Sequence, residues 1–276
     1  MLPWIKPELS IMLDFDQMVV DVHDLYRVVF LNSPTPEAFL QAWKKRSNKE
    51  LKGWVKEHYA AEPKRVTRIL KAYRYSRARI HHALRKNIKN YKKSGVPSYL
   101  SDQAEYDFIV QMFREDRIVA MRGDLTKTKT MQQLGAVLKK HNLVVRVYHP
   151  SNAEQYFKFG SAYKANIKSL PIDDRSIVAR TRAWAKFVKL SPKEIAALKA
   201  KKESGKIKAG APELGTPPKR KEIYYTYATQ PYNDFLTWLN KGEITNVRQM
   251  LPYSSRVEDK YYAIHPYDPS KLKKKK

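Results

Sequence analysis

The chain has 276 residues, 42% of them hydrophobic, and carries 54 lysines and arginines against 27 acids, a net charge of +27, with no cysteine. That apolar content supports a folded core, and the lack of cysteine excludes disulfides, thiolate nucleophiles and cysteine-ligated zinc or iron–sulfur centres. No apolar run approaches the roughly 18 residues of a membrane span, while the charge implies attraction to polyanions: RNA, DNA, anionic lipid or an acidic polymer.

The N-terminus, MLPWIKPELSIMLDFD, lacks the basic, apolar, small-residue order of an export signal, so the expectation is a cytoplasmic chain by default. Leu9 to Phe15 reads as a strand closed by Asp14 and Asp16. Val19 to Phe30 reads as a helix, with Val22, Leu25, Tyr26 and Val29 on one face. Thr35 then stands as a helix cap with Pro36 at the first helical position. Helices follow from Pro36 to about Arg46 and through Leu51 to Tyr59.

Lys64 to Lys93 is the most basic element, with twelve lysines and arginines and no acid. Its apolar residues keep helical spacing, which predicts one long amphipathic helix, or two broken near Tyr75-Ser76. Arg68, Arg74, Arg77, Arg79 and Arg85 are the candidate polyanion-binding residues. The plainer alternative is a solvated helix face whose tyrosines pack inward. Gly95-Val96-Pro97 breaks this element, and Ser101 or Asp102 caps a helix from Gln103 to Glu115.

From Arg117 to Gly160 the pattern is strand, polar loop, helix, strand, polar loop, helix. Ile118, Val119 and Met121 form the first strand, and Leu143 to Tyr148 the second, stopping at Pro150. Two such units predict neighbouring parallel strands joined by a helical crossover. Ligands in open α/β sheets sit beyond the carboxyl ends of the strands. Those ends are Gly123-Asp124-Leu125-Thr126 and Pro150-Ser151-Asn152-Ala153-Glu154. A pocket combining Asp14, Asp124, Thr126, Ser151, Asn152 and Glu154 is therefore expected at one edge of one sheet.

Arg175 to Lys186 and Glu222 to Thr229 read as strands on either side of a Lys/Gly/Pro-rich excursion at 191–221. A helix from Tyr232 to about Lys241 and a short one near Val247 follow. Residues 254–276 read as a polar, basic tail.

Taken together, Gly123-Asp124-Leu125-Thr126, Ser151-Asn152-Ala153-Glu154-Gln155-Tyr156 and Leu170-Pro171-Ile172-Asp173-Asp174 resemble an uncharacterised bacterial family with a Rossmann-like, class I S-adenosylmethionine-dependent methyltransferase-like domain. The resemblance covers most of 1–187 and, more loosely, Tyr224 to Tyr253. It implies a three-layer, mainly parallel α/β sheet with an antiparallel C-terminal hairpin. This would be one domain over 1–253, with a helical insertion at 34–95. It also implies S-adenosylmethionine as cofactor. Asp14 would bind the ribose, Asp124, Thr126 and Ser151 would complete the cofactor site, and Asn152 with Glu154 would orient the methyl acceptor. The family's first strand and glycine-rich loop would precede Leu9 and have no counterpart there, so the expectation is a truncated or inactive domain.

Asp14-Phe15-Asp16 also matches the D-x-D pattern of metal-dependent nucleotide-sugar transferases, in which two carboxylates on one strand face share a hard cation. His149 beside Ser151 and Asn152 is a candidate base, or a histidine that bonds a neighbouring loop. No zinc-peptidase helix, G-x-S-x-G elbow or phosphate-binding loop occurs.

Overall fold

The computed structural model describes residues 5–95, 97–189, 196, 219–241, 244–258 and 260–271. The chain divides into two compact units, Met1–Asp124 and Leu125–Lys276. The architecture is mixed α/β, with two separate sheets.

In the first unit, β1 (Ser10–Asp14) pairs in parallel with β2 (Ile118–Arg122), from Ser10 opposite Ile118 to Asp14 opposite Arg122. Between them in sequence come α1 (Gln17–Leu31), α2 (Pro36–Ala42), α3 (Asn48–His58), α4 (Pro63–Ser94) and α5 (Gln103–Arg114). The caps follow the expected chemistry. Asp16, Thr35 and Asp102 accept the amides of Met18, Ala38 and Glu105 at 2.8, 3.1 and 2.9 Å, satisfying donors that the first turn leaves unpaired. Gly95, at φ 66°, ends α4 in the left-handed conformation that glycine adopts without a Cβ clash. The core is aromatic: Tyr26, Phe30, Phe39, Trp43, Tyr99 and Tyr106 form a continuous set of ring contacts. Arg27 joins α1 to the start of β2 through Asp116 Oδ1 at 2.5 Å and the Ile118 carbonyl at 2.7 Å.

In the second unit, α6 (Lys129–Lys140) precedes β3 (Val147–Ser151), and α7 (Ser161–Ser169) leads to β4 (Ile177–Lys189). The chain resumes with β5 (Lys219–Pro231), α8 (Tyr232–Lys241), β6 (Ser254–Glu258) and β7 (Tyr261–Ile264). The five strands are ordered β3-β4-β5-β7-β6. Gly135 lets α6 and α7 approach closely, since a Cβ there would stand 2.5 Å from the Ser169 carbonyl oxygen.

Several expectations are corrected here. The β2 and β3 strands are not neighbours; each pairs within its own sheet. Only half of the expected strand edge exists, because Gly123 N donates to the Asp14 carbonyl at 2.9 Å while Ser151 belongs to the other sheet. The larger sheet is mixed rather than mainly parallel: β3–β4 and β5–β7 are parallel, β4–β5 and β6–β7 antiparallel. The expected hairpin of β4 and β5 does form, but it lies inside the sheet. Residues 254–264, expected in a tail, supply β6 and β7 beside it. The β3 strand begins later than the β-branched run and passes through Pro150 to Ser151. It lies at the sheet edge, where a residue without an N–H is tolerated. The excursion at 191–221 falls largely outside the described residues, as does the lysine run at 272–276.

The covered face of this sheet holds a buried ion pair. The Arg180 guanidinium is 3% exposed and the Glu154 carboxylate 2%. Arg180 Nε donates to Glu154 Oε2 and Nη1 to Gln230 Oε1, while Tyr163 OH donates to Glu154 Oε1. The guanidinium also lies over the Phe235 ring at 4.2 Å from its centroid. Removing one partner would leave the other charge buried. Arg180→Met is therefore expected to lower stability by about 3–5 kcal/mol, read as a shifted urea midpoint.

Candidate polyanion interface

The α4 helix is one unbroken helix of 32 residues, not two. At 1.5 Å per residue it is about 48 Å long. Its apolar stripe is used inside the first unit: Ile69, Ala72, Tyr73 and Leu84 are buried. The opposite face carries Lys64, Lys71, Arg74, Arg85 and Lys89, all exposed. The 1–124 unit otherwise has eleven bases against fifteen acids, so this helix face is its concentrated positive feature. Tyr75 stands among the cations at 57% exposure, with the Arg74 guanidinium 5.1 Å from its ring centroid.

The five arginines singled out from the sequence divide in two. Arg68 Nε reaches the buried Asp21 at 3.4 Å. Arg77 donates to the Trp43 carbonyl at 3.0 Å. Both therefore hold α4 against its own unit. Arg74, Arg79 and Arg85 remain outward and exposed. Of the tyrosines on this helix, Tyr73 packs inward and donates to Asn48 Oδ1 at 2.5 Å, whereas Tyr75 points out.

The pattern did not reveal Asp21 and Asp24 as the acids that seat this helix. Arg65 grips Asp24 through two hydrogen bonds of 2.9 Å, and this contact raises the arginine pKa above its ordinary value. The signal in the sequence is two acids on the same side of a helix as Val20, Leu25 and Val28, all of them buried. Burial lowers the pKa of His23, on the same helix, despite the opposing carboxylates of Asp14 and Asp24.

The residues proposed for a cofactor pocket are placed otherwise. Asp14 Oδ1 accepts the Asp16 amide, and Asp16 Oδ1 caps α1, both at 2.8 Å. The D-x-D carboxylates are thus engaged locally, and among the described residues no cluster of three metal-ligating side chains occurs. Asp124 and Thr126 are half-buried beyond β2, and Asn166 Nδ2 ties the Leu125 and Lys127 carbonyls at 2.8 and 2.7 Å. Ser151 is exposed with φ 53°, and Asn152 Nδ2 donates to Tyr156 OH at 3.2 Å. Glu154 is buried and bonded to Arg180 and Tyr163. His149 Nε2 lies 3.5 Å from Thr181 Oγ1, a partner on β4 rather than on a loop.

Against known families, the model described as "Domain of unknown function (DUF7790)" matches residues 1–266. The chain belongs to this family. The match spans both units and runs through β7. No curated protein matches the chain. Among the described residues no helix is long and apolar enough to cross a membrane.

The division of the arginines is testable one residue at a time. Arg68→Gln and Arg77→Gln should each lower stability by about 1 kcal/mol in urea denaturation, because each leaves a protein acceptor short of a donor. Arg74→Gln, Arg79→Gln and Arg85→Gln should stay within about 0.5 kcal/mol of the parent.

Proposed function

We propose that this protein binds nucleic acid, without reading sequence, through the outward face of α4. The observation that carries the reading is a continuous cationic helix face about 48 Å long with no acid along it. A rod of that charge lies along a phosphate backbone and displaces condensed counterions. The same face is less suited to a lipid surface. An interfacial helix inserts its apolar side among acyl chains, and here that side is buried in the unit's own core.

The test is fluorescence anisotropy with labelled duplex and single-stranded oligonucleotides over a range of salt. Affinity should fall with a log–log slope of about −0.9 per phosphate contact on duplex DNA. Changing Lys71, Arg74, Arg79, Arg85 and Lys89 together to glutamine should flatten that slope by several contacts and leave the protein folded. A parent that binds no oligonucleotide at low salt, or a variant that binds as the parent does, defeats the reading. Competition by heparin but not by nucleic acid would point instead to another acidic polymer.

A second reading is a Rossmann-like, methyltransferase-like domain that has lost its cofactor. It is supported by the resemblance and by the parallel β1–β2 pair, with Asp14 and Arg122 at one end. No glycine-rich loop accompanies that pair, and the Asp14 carboxylate already accepts a backbone amide. S-adenosylmethionine is therefore expected to bind weakly or not at all in calorimetry. A dissociation constant in the low micromolar range would restore the enzyme reading.

A further inference from the structure

We infer that the open face of the five-stranded sheet is a stacking platform for the unpaired bases of single-stranded nucleic acid. This site lies in the second unit, is built from residues other than those of α4, and does not depend on the α4 reading.

The two faces of the sheet differ in kind. Along β5, Ala228 and Gln230 are buried, while Tyr225, Tyr227, Thr229 and Pro231 are exposed. Along β4, Val178 and Arg180 are buried, while Ile177 is exposed and Ala179, Thr181 and Ala183 are half-exposed. The register puts these outward sets opposite one another: Ile177 with Pro231, Ala179 with Thr229, Thr181 with Tyr227, and Ala183 with Tyr225. Tyr261 of β7 pairs with Tyr227, and Ala263 with Thr229. The solvent side of an antiparallel pair ordinarily takes polar residues. Here it holds three tyrosines, at 47%, 38% and 51% exposure for Tyr225, Tyr227 and Tyr261.

The arrangement suits bases. Tyr227 and Tyr261 are stacked, with centroids 5.2 Å apart and planes 20° from parallel. Tyr225 is two residues from Tyr227 on the same strand face, a separation of about 7 Å. The positions between and beside the rings are small (Ala179, Thr181, Ala183, Thr229 and Ala263), so the rings stand above a low floor. Two aromatic residues on one strand and a third on its neighbour form the kind of surface on which sheet-type RNA readers stack two or three bases. His149 extends the row to the edge strand, through its contact with Thr181.

Charge selects the occupant. The 125–276 unit has thirty-one lysines and arginines against twelve acids. Lys260, next to Tyr261, is an exposed cation at the start of β7, whereas Arg256 on β6 stands in register with Tyr262 and the buried Ala228 and so belongs to the other face. Beyond Tyr225 and Ala183 the backbone positions in register with the open face include Lys221, Lys219 and Lys189, while Lys186 stands opposite Glu222 on the other alternation. Glu258, opposite Tyr261, disfavours a phosphate at that one point. Bases within a duplex have their faces covered by their neighbours, so only an unpaired strand can use the rings.

The experiment uses the full chain and fluorescein-labelled 12-mers of oligouridine and oligodeoxythymidine, with a 12-base-pair duplex as control. Tyr227→Ala is expected to weaken single-strand binding about tenfold, within the range measured for loss of one base–aromatic stack. Changing Tyr225, Tyr227 and Tyr261 together to alanine should weaken it further. Duplex affinity and the salt slope should not change, because no phosphate contact is lost. Tyr227→Phe keeps the ring and should bind as the parent does, which separates stacking from a folding defect. Binding of either oligonucleotide that falls when the tyrosines are changed supports the platform, and a preference for oligouridine adds contact to the 2′-hydroxyl. The inference is overturned if the triple variant holds single strands like the parent. It is equally overturned if the parent binds duplex but no single strand, or if it binds a neutral polysaccharide through these tyrosines and neither oligonucleotide. In the duplex-only case the α4 reading still stands. Loss of the α4 effect, with the tyrosine effect intact, leaves the platform standing alone.

Discussion

Asp21 and Asp24 lie one turn apart on the buried side of α1, and a carboxylate removed from water requires a cation and hydrogen-bond donors. Arg65 and Arg68, also one turn apart, supply them from α4. The matched spacing lets both pairs form at once. The two pairs therefore fix both where α4 crosses α1 and how it is rotated about its axis. With Arg65 and Arg68 directed at the acids and Ile69, Tyr73 and Leu84 in the core, Lys71, Arg74, Arg85 and Lys89 have only the solvent to face. Two cations committed to folding thus set the direction of those that remain.

A similar constraint acts in the second unit through Arg180. Its partners come from three places in the chain: Glu154 after β3, Gln230 near the end of β5, and Phe235 on α8. These contacts fix which face of β4 turns toward α8. Because strand side chains alternate, they also fix the other face. Tyr227 and Tyr225 project outward because Arg180 and Gln230 project inward.

Local chemistry was readable from the residues. The caps at Thr35 and Asp102, the glycine stop after α4 and the β4–β5 hairpin lie close to where their signals put them. Strand pairing was not readable, because a strand–helix–strand order states which strands are parallel-capable but not which edges meet. The apolar run of β2 is satisfied by β1, an element over a hundred residues earlier, and that long-range choice leaves no local mark. Residues 254–264 looked like tail because strands exposed on one face and at an edge carry few apolar residues. The candidate pocket rested on a single sheet, and its residues are divided between two. The cationic helix was legible as a face. Which of its arginines were already engaged depended on partners far away in the chain: Asp24 for Arg65, Asp21 for Arg68 and the Trp43 carbonyl for Arg77.

Pro150 has a consequence beyond strand length. A sheet face rich in tyrosine and alanine, built on long strands, invites association with other chains, and sheet edges are where such addition begins. Here one edge is β3, where Pro150 offers no amide and the pairing with β4 shifts register. The other edge is β6, which carries Arg256 and Glu258 at its own irregularity beside β7. Neither β3 nor β6 presents an unbroken row of donors and acceptors to a passing strand, so at these two strands the aromatic surface is a poor template for β-addition.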